Sequence, residues 1–191
     1  MRPLLAALLL VIVSGPALAG TKYFPERRAL CLDCHGENGV SPSPETPSLG
    51  GMPEYYALLQ LVEFRDGNRR DENMRGIVAD MTDDDLRAAA AFVAVQPRPP
   101  APEEMGDPER MQRGAILVSK GRCDICHGRQ LLGGEQMPPL RHQREDYLLK
   151  ALRDYKAERR LGDRAAMVEV VTPLSDDDLA DLAHYLAHVR E

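Results

Sequence analysis

The chain's 191 residues are enough for one ordinary domain or two small ones. Its formal net charge of −6 argues against nucleic acid as a partner. With 5% aromatic residues and no tryptophan, neither half of such a chain can build a large apolar core from its side chains alone.

At the amino terminus, Arg2 precedes an apolar run from Leu4 to Val13, then Gly15-Pro16, then Ala17-Leu18-Ala19, the A-x-A form of a secretory cleavage site. Residues 1–19 therefore read as a signal peptide cut after Ala19, which places the mature chain outside the cytoplasm. The apolar run is shorter than the roughly 20 residues a bilayer requires. No later stretch is long and apolar enough to be a membrane helix, so no transmembrane segment is expected after cleavage.

All four cysteines fall in two copies of C-x-x-C-H: Cys31-Leu-Asp-Cys34-His35 and Cys123-Asp-Ile-Cys126-His127. This spacing is the attachment signature of c-type haem. Two thiols add to the vinyl groups on one porphyrin edge, and the adjoining histidine binds iron from one face. A four-cysteine zinc site would need the second pair within about 12–20 residues of the first, whereas Cys31 and Cys123 stand 92 positions apart. A thioredoxin-like dithiol would sit near a βαβ pattern, and none surrounds either pair. The expected cofactors are two covalently bound haems.

Between the motifs runs Gln96-Pro97-Arg98-Pro99-Pro100-Ala101-Pro102, which cannot be helical and should form an extended spacer. The expected organisation is residues 20–96 as a first domain, 97–102 as the linker and 103–191 as a second domain. Each half repeats one order of features, the mark of an internal duplication. After the haem motif come a glycine (Gly36; Gly128), a proline-leucine element (Pro47-Ser-Leu49; Pro138-Pro139-Leu140) and an apolar-periodic helix with tyrosines (Tyr55 to Phe64; Tyr147 to Tyr155). A methionine follows (Met74; Met167), then Thr82-Asp-Asp-Asp85-Leu86 or Ser175-Asp-Asp-Asp178-Leu179 leading into a last helix. Thr82 and Ser175 read as N-caps with an acid three positions on. The aspartate triplets fit dipole-complementing helix starts better than metal ligands. The predicted fold is all-α, without a sheet.

In the second half Asp107-Pro108-Glu109 predicts a further helix start, with Gly114 placed to pack near Tyr185. The first half has only Tyr23 to Leu30 before its haem motif and no matching glycine, so its N-terminal helix should be short. His142, His184 and His188 read as surface or helix-face residues rather than ligands.

Whether such haems carry electrons, act as a peroxidase or sense gas depends on the second axial position. The halves together resemble cytochrome c4, a periplasmic dihaem cytochrome of two class I cytochrome c domains. The resemblance is carried by Cys31 to Gly36, Phe64-Arg65-Asp-Gly67-Asn-Arg69 and Met74-Arg75-Gly76-Ile-Val-Ala79-Asp-Met81-Thr82. In that family the axial methionine heads the segment M-R-G-x-x-A, which falls on Met74, and the same offset in the second half gives Met167. The second half lacks M-R-G and a match to Gly67.

The resemblance thus implies iron ligation by His35 and Met74, and by His127 and Met167, with haem held through Cys31, Cys34, Cys123 and Cys126. It also implies that the carbonyls of Pro47 and Pro138 hold the second ring nitrogens of the ligand histidines, although Pro139 competes with Pro138 for that role. Covalent haem attachment outside the cytoplasm agrees with the leader and with a periplasmic location.

Residues 20–97 carry 8 basic and 13 acidic side chains, and residues 98–191 carry 15 and 17. That asymmetry predicts a dipolar molecule whose ends present to different redox partners. The expected function is a non-enzymatic electron carrier between respiratory partners; the resemblance implies a quinol-oxidising complex or a dehydrogenase as donor and a terminal oxidase as acceptor, in association with membrane complexes. The alternative is the cytochrome subunit of a periplasmic dehydrogenase, such as a flavocytochrome c sulfide dehydrogenase or an alcohol dehydrogenase.

Overall fold

Helix starts in this chain are set by their first turns. In the computed structural model, which describes residues 21–160 and 165–190, the first half contains α1 (Phe24–His35), α2 (Glu54–Asp66), α3 (Glu72–Val78) and α4 (Asp83–Ala94). The second contains α5 (Pro108–Lys120), α6 (Cys123–His127), α7 (Glu145–Lys156), α8 (Ala165–Val171) and α9 (Asp176–His188). The leader and its cleavage site lie outside the described residues.

Asp107 caps α5 by accepting the Arg110 N–H at 2.9 Å. Thr82 and Ser175 each form a reciprocal capping box, with Asp85 and Asp178 respectively. The described residues contain no strand ladder, only two isolated bridges, Arg69 with Arg160 and Gly134 with Met137.

The halves follow one plan: α2 packs on α4 as α7 packs on α9, and α1 meets α4 as α5 meets α9. They differ where the chain enters the haem motif. In the first half one helix runs from Phe24 through His35, so the N-terminal helix is short only before the motif, as Tyr23 to Leu30 implied. In the second, Gly121 and Arg122 break the path, with Arg122 in the left-handed region at φ 53°, and α6 restarts at Cys123. Gly114 lies where α5 crosses α9. A Cβ there would stand 2.3 Å from Tyr185 Cβ and 2.6 Å from the Asp181 carbonyl oxygen, so the crossing is close because a side chain is missing. The same crossing carries Arg110 and Arg113 onto Asp181, at 3.2 and 2.5 Å.

The second-half core is one cluster around Leu148, Leu152, Tyr155, Val171, Leu179, Leu182 and Leu186. The first half divides its buried side chains between Phe64, Val78, Met81, Leu86 and Ala89 and a separate group of Met52, Tyr56, Ala57 and Ala90. At about 1.5–3 kcal/mol for each large apolar side chain buried, the second half is the better supplied.

The spacer is not helical. Its start is held in a slot of glycines: Gly51 donates to the Gln96 carbonyl at 2.9 Å, and a Cβ on Gly50 would fall 1.8 Å from the Pro97 carbonyl oxygen. The halves then meet through polar contacts. Ser48 and Gln143 exchange two hydrogen bonds of 2.8 Å, Arg144 donates to the Ser41 carbonyl at 2.9 Å, and Asp146 accepts the Glu45 N–H at 3.1 Å.

Candidate cofactor sites

Both motif histidines are the last residues of their helices and both are buried. His35 Nδ1 lies 2.8 Å from the Pro47 carbonyl oxygen, and His127 Nδ1 lies 2.9 Å from that of Pro138. A carbonyl only accepts, so in each ring Nδ1 carries the proton and Nε2 keeps its lone pair. Burial pushes the His35 pKa below its ordinary value, against the pull of the Pro47 carbonyl, which keeps the ring neutral and able to ligate. Of the two candidates in the second half, it is Pro138, not Pro139, whose carbonyl faces the histidine.

Cys31 and Cys123 are half-buried, and burial pushes both thiols up; Cys34 and Cys126 are exposed. Each motif thus offers one sulfur inside and one at the surface.

Cys123, Cys126, His127, Met137, Pro138, Leu148, Leu152 and Met167 line one apolar cleft, and Met52 and Tyr56 of the first half complete its wall. The structure therefore brings Met167 and His127 to the same cleft. In the first half Cys31 and His35 border a smaller pocket with Phe24, Leu49, Ala89 and Phe92. Met74 is not part of that lining. It is half-buried beside Phe64, Val78 and Met81, and its N–H is held by Asp71 at 3.1 Å.

Where the halves meet, the duplication produces a crossed pair: Arg69 donates to Tyr147 at 3.1 Å and Arg160 donates to Tyr56 at 3.3 Å. Gln60 Oε1 accepts from both guanidinium groups, at 2.7 Å from Arg69 and 2.8 Å from Arg160. Arg160 is only 6% exposed, yet among the described residues neither arginine has a carboxylate at ion-pair distance. Gln60 Nε2 is buried with no hydrogen-bond partner among them. Although burial opposes it, the Arg69 and Arg160 charges hold the Tyr147 hydroxyl below the ordinary tyrosine range, while burial pushes Tyr155 up to about 12.

A buried donor without an acceptor beside two uncompensated cations calls for an anion. Apolar clefts with thiols, a lone-pair nitrogen and an adjoining cationic cluster fit haem, an apolar plate with an acidic edge.

These residues, Gln60, Arg69, Arg160, Tyr56 and Tyr147, were not assigned a site role from sequence. The repeat carried a usable signal: a tyrosine eight residues before the helix aromatic (Phe64; Tyr155) and an arginine five residues after it.

Glu145, His184 and His188 also bring ligating atoms together. His184 is buried rather than at the surface. Its Nε2 accepts the Asp107 N–H at 2.8 Å, so its Nδ1 carries the proton toward Glu145 Oε2, also at 2.8 Å. His188 Nδ1 donates to the His184 carbonyl at 2.9 Å, and Arg110 occupies the other Glu145 oxygen at 3.0 Å. Only His188 Nε2 keeps an uncommitted lone pair, and the group works as a helix-packing network. His142 is likewise engaged, with Nε2 3.0 Å from the Val189 carbonyl oxygen.

The cytochrome c family model matches residues 111–190. Cytochrome c4 of Pseudomonas aeruginosa is 31% identical, over 97% of this chain and 98% of the relative. A Stutzerimonas stutzeri protein named thiosulfate dehydrogenase electron acceptor is 30% identical, over 97% of this chain and 93% of its own length. Among solved structures, reduced recombinant cytochrome c4 from Pseudomonas stutzeri aligns with a TM-score of 0.78 at 29% identity, covering 86% of this chain and 96% of that one. Among the described residues no helix is long and apolar enough to cross a membrane.

Proposed function

Because the chain belongs to the cytochrome c4 family, we propose that it carries single electrons in the periplasm between a dehydrogenase or quinol-oxidising complex and a terminal oxidase. It is a dihaem electron-transfer cytochrome with two haem c groups, an electron carrier rather than an enzyme. Bound haem supplies a reversible one-electron iron couple.

Cys31 and Cys34, and Cys123 and Cys126, fix the porphyrin edges as thioethers. His35 and His127 present Nε2 to iron, with orientation and basicity set by the carbonyls of Pro47 and Pro138. Met74 and Met167 would each offer a thioether to one iron, a ligand that favours the reduced metal and would close the site to substrate. Arg69, Arg160 and Gln60 would hold the acidic edges and offset their charge. The domains are residues 20–96 and 103–191, joined by 97–102. The observation that carries this reading is the histidine–proline pair, repeated in both halves at 2.8 and 2.9 Å.

Mass spectrometry of denatured, exported protein tests it first and should return the chain cut after Ala19 plus two haems; one haem or none overturns the reading. Met74→Ala and Met167→Ala should each remove the thioether-to-iron absorption band of one haem and lower its potential, and Met137→Ala should do neither.

A second reading, a bound relay in a dehydrogenase complex, draws support from the relatives named as thiosulfate dehydrogenase electron acceptors. Co-purification of a catalytic subunit from the native source distinguishes the two.

A further inference from the structure

The surface beside the second haem motif has a sign opposite to that of the molecule. The chain is acidic overall, yet from Lys120 to Arg129 it carries Lys120, Arg122 and Arg129 against Asp124 alone. All three cations are exposed, and among the described residues none has a carboxylate at ion-pair distance. Other arginines are engaged, Arg27 with Asp80, Arg65 with Asp83, Arg153 with Asp176 and Arg159 with Asp154. Exposed Arg28, Arg70 and Arg75 have no carboxylate at ion-pair distance among the described residues, but they are not clustered around one motif as Lys120, Arg122 and Arg129 are. Unpaired cations in an acidic protein project an attractive field for a negative surface over a Debye length of about 8–10 Å.

Along the chain the cations are interleaved with exposed apolar residues. Ile125, inside the motif, is 60% exposed, and Ile116 is 47% exposed one helical turn before Lys120 on the same face of α5. An apolar centre with a charged rim is the composition of a transient protein interface. Exposed Cys126, one of the two sulfurs that would hold the second haem, adjoins it in sequence.

The first half supplies an internal control. Counted from the motif histidine, Glu37 occupies the place of Arg129, Asp33 that of Ile125 and Leu30 that of Arg122. Asp33 and Glu37 are exposed too. Arg28 matches Lys120 in sign and is exposed as well, so the halves differ in net charge over these ten positions: +2 for 120–129 against −1 for 28–37.

We propose that Ile116, Lys120, Arg122, Ile125 and Arg129 form the docking surface for an acidic redox protein, and that electrons cross between that partner and the second haem. This rests on the haem assignment above.

The test uses the ascorbate-reduced holo-protein and hexacyanochromate(III), a redox-inert paramagnetic trianion. In an NMR titration it should broaden the Ile125 methyl and the amides of 120–129 ahead of those of 32–38, and hexaamminechromium(III) should show the reverse order. Equal broadening of both motifs overturns the proposal. At the level of a partner, electron exchange with an acidic plastocyanin at low ionic strength should slow at least tenfold in a Lys120→Glu, Arg122→Glu, Arg129→Glu variant. The difference should vanish near 1 M salt, and an unchanged rate at low salt overturns the proposal. Haem content by mass separates the readings: a protein without two haems removes the functional assignment, whereas two haems with unchanged rates remove only the docking surface.

Discussion

In the first half the N terminus of α1 is fastened by a carboxylate: Asp85 closes its own capping box and also accepts the backbone N–H of Tyr23 at 2.8 Å and of Phe24 at 2.9 Å. The equivalent Asp178 of the second half closes the same box with Ser175, and its half-buried carboxylate reaches no further hydrogen-bond donor among the described residues. There the N-terminal helix is fastened instead by the glycine crossing of α5 over α9 and by Arg110 and Arg113 on Asp181. Duplicated chains can therefore keep one fold while changing the chemistry that closes it. A single buried polar group carries in one half what apolar area and ion pairs share in the other.

The comparison is broken most severely by removing a haem. With its core in two small clusters, the first half should lose more from Cys31→Ala, Cys34→Ala than the second loses from Cys123→Ala, Cys126→Ala. Hydrogen exchange should show helices α1–α4 unprotected in the first variant and α5–α9 partly protected in the second.

Next in size is Gly114→Val. The added atoms meet Tyr185 and the Asp181 carbonyl, so the crossing must open, at a cost of about 1–3 kcal/mol. Thermal unfolding followed by haem absorption should register that loss in the second half only.

Asp85→Asn removes the fastening of the first half and should cost about 2 kcal/mol, from a lost cap and weakened buried hydrogen bonds. It should also change the acid limb. Burial resists ionisation, but hydrogen bonds from Thr82, Phe24 and Tyr23 hold the folded Asp85 well below the ordinary carboxylate range. Its contribution is therefore fully present above about pH 4 and is lost as pH falls below that value. Denaturant unfolding at pH 7 and pH 3 should show a smaller pH dependence in the variant, whereas Asp178→Asn should alter it less.

The smallest effect is a gain. Gly67 ends α2 at φ 81°, and Glu158, its counterpart after α7, adopts φ 52° with a side chain that disfavours it. Glu158→Gly should stabilise the second half by about 0.5–1 kcal/mol, read as a rise in its melting temperature.

That last pair shows what the sequence conceals. The absence of a glycine matching Gly67 read as a departure from the pattern, yet the backbone keeps the left-handed turn and the Glu158 N–H donates to the Tyr155 carbonyl at 3.0 Å, as Gly67 donates to Phe64. Capping boxes and haem motifs were legible because all their parts lie within five residues. The order of helices was legible because the repeat states it twice.

The Arg69, Arg160 and Gln60 cluster was legible only in part: the repeat marks a tyrosine and an arginine in each half, but the contacts that cross between the halves join residues 78 to 104 positions apart. His184 read as a surface or helix-face residue; it lies on the buried face of α9, where its Nε2 accepts the Asp107 N–H.

The glycine slot around Gln96 and Pro97 bears on the affinity between the halves. Because the spacer leaves the first half already gripped, the free tether begins only after Pro97, and the second half searches a small volume. Short tethers give effective concentrations in the millimolar range. A polar interface that would be too weak to join two separate proteins can then stay closed for most of the time.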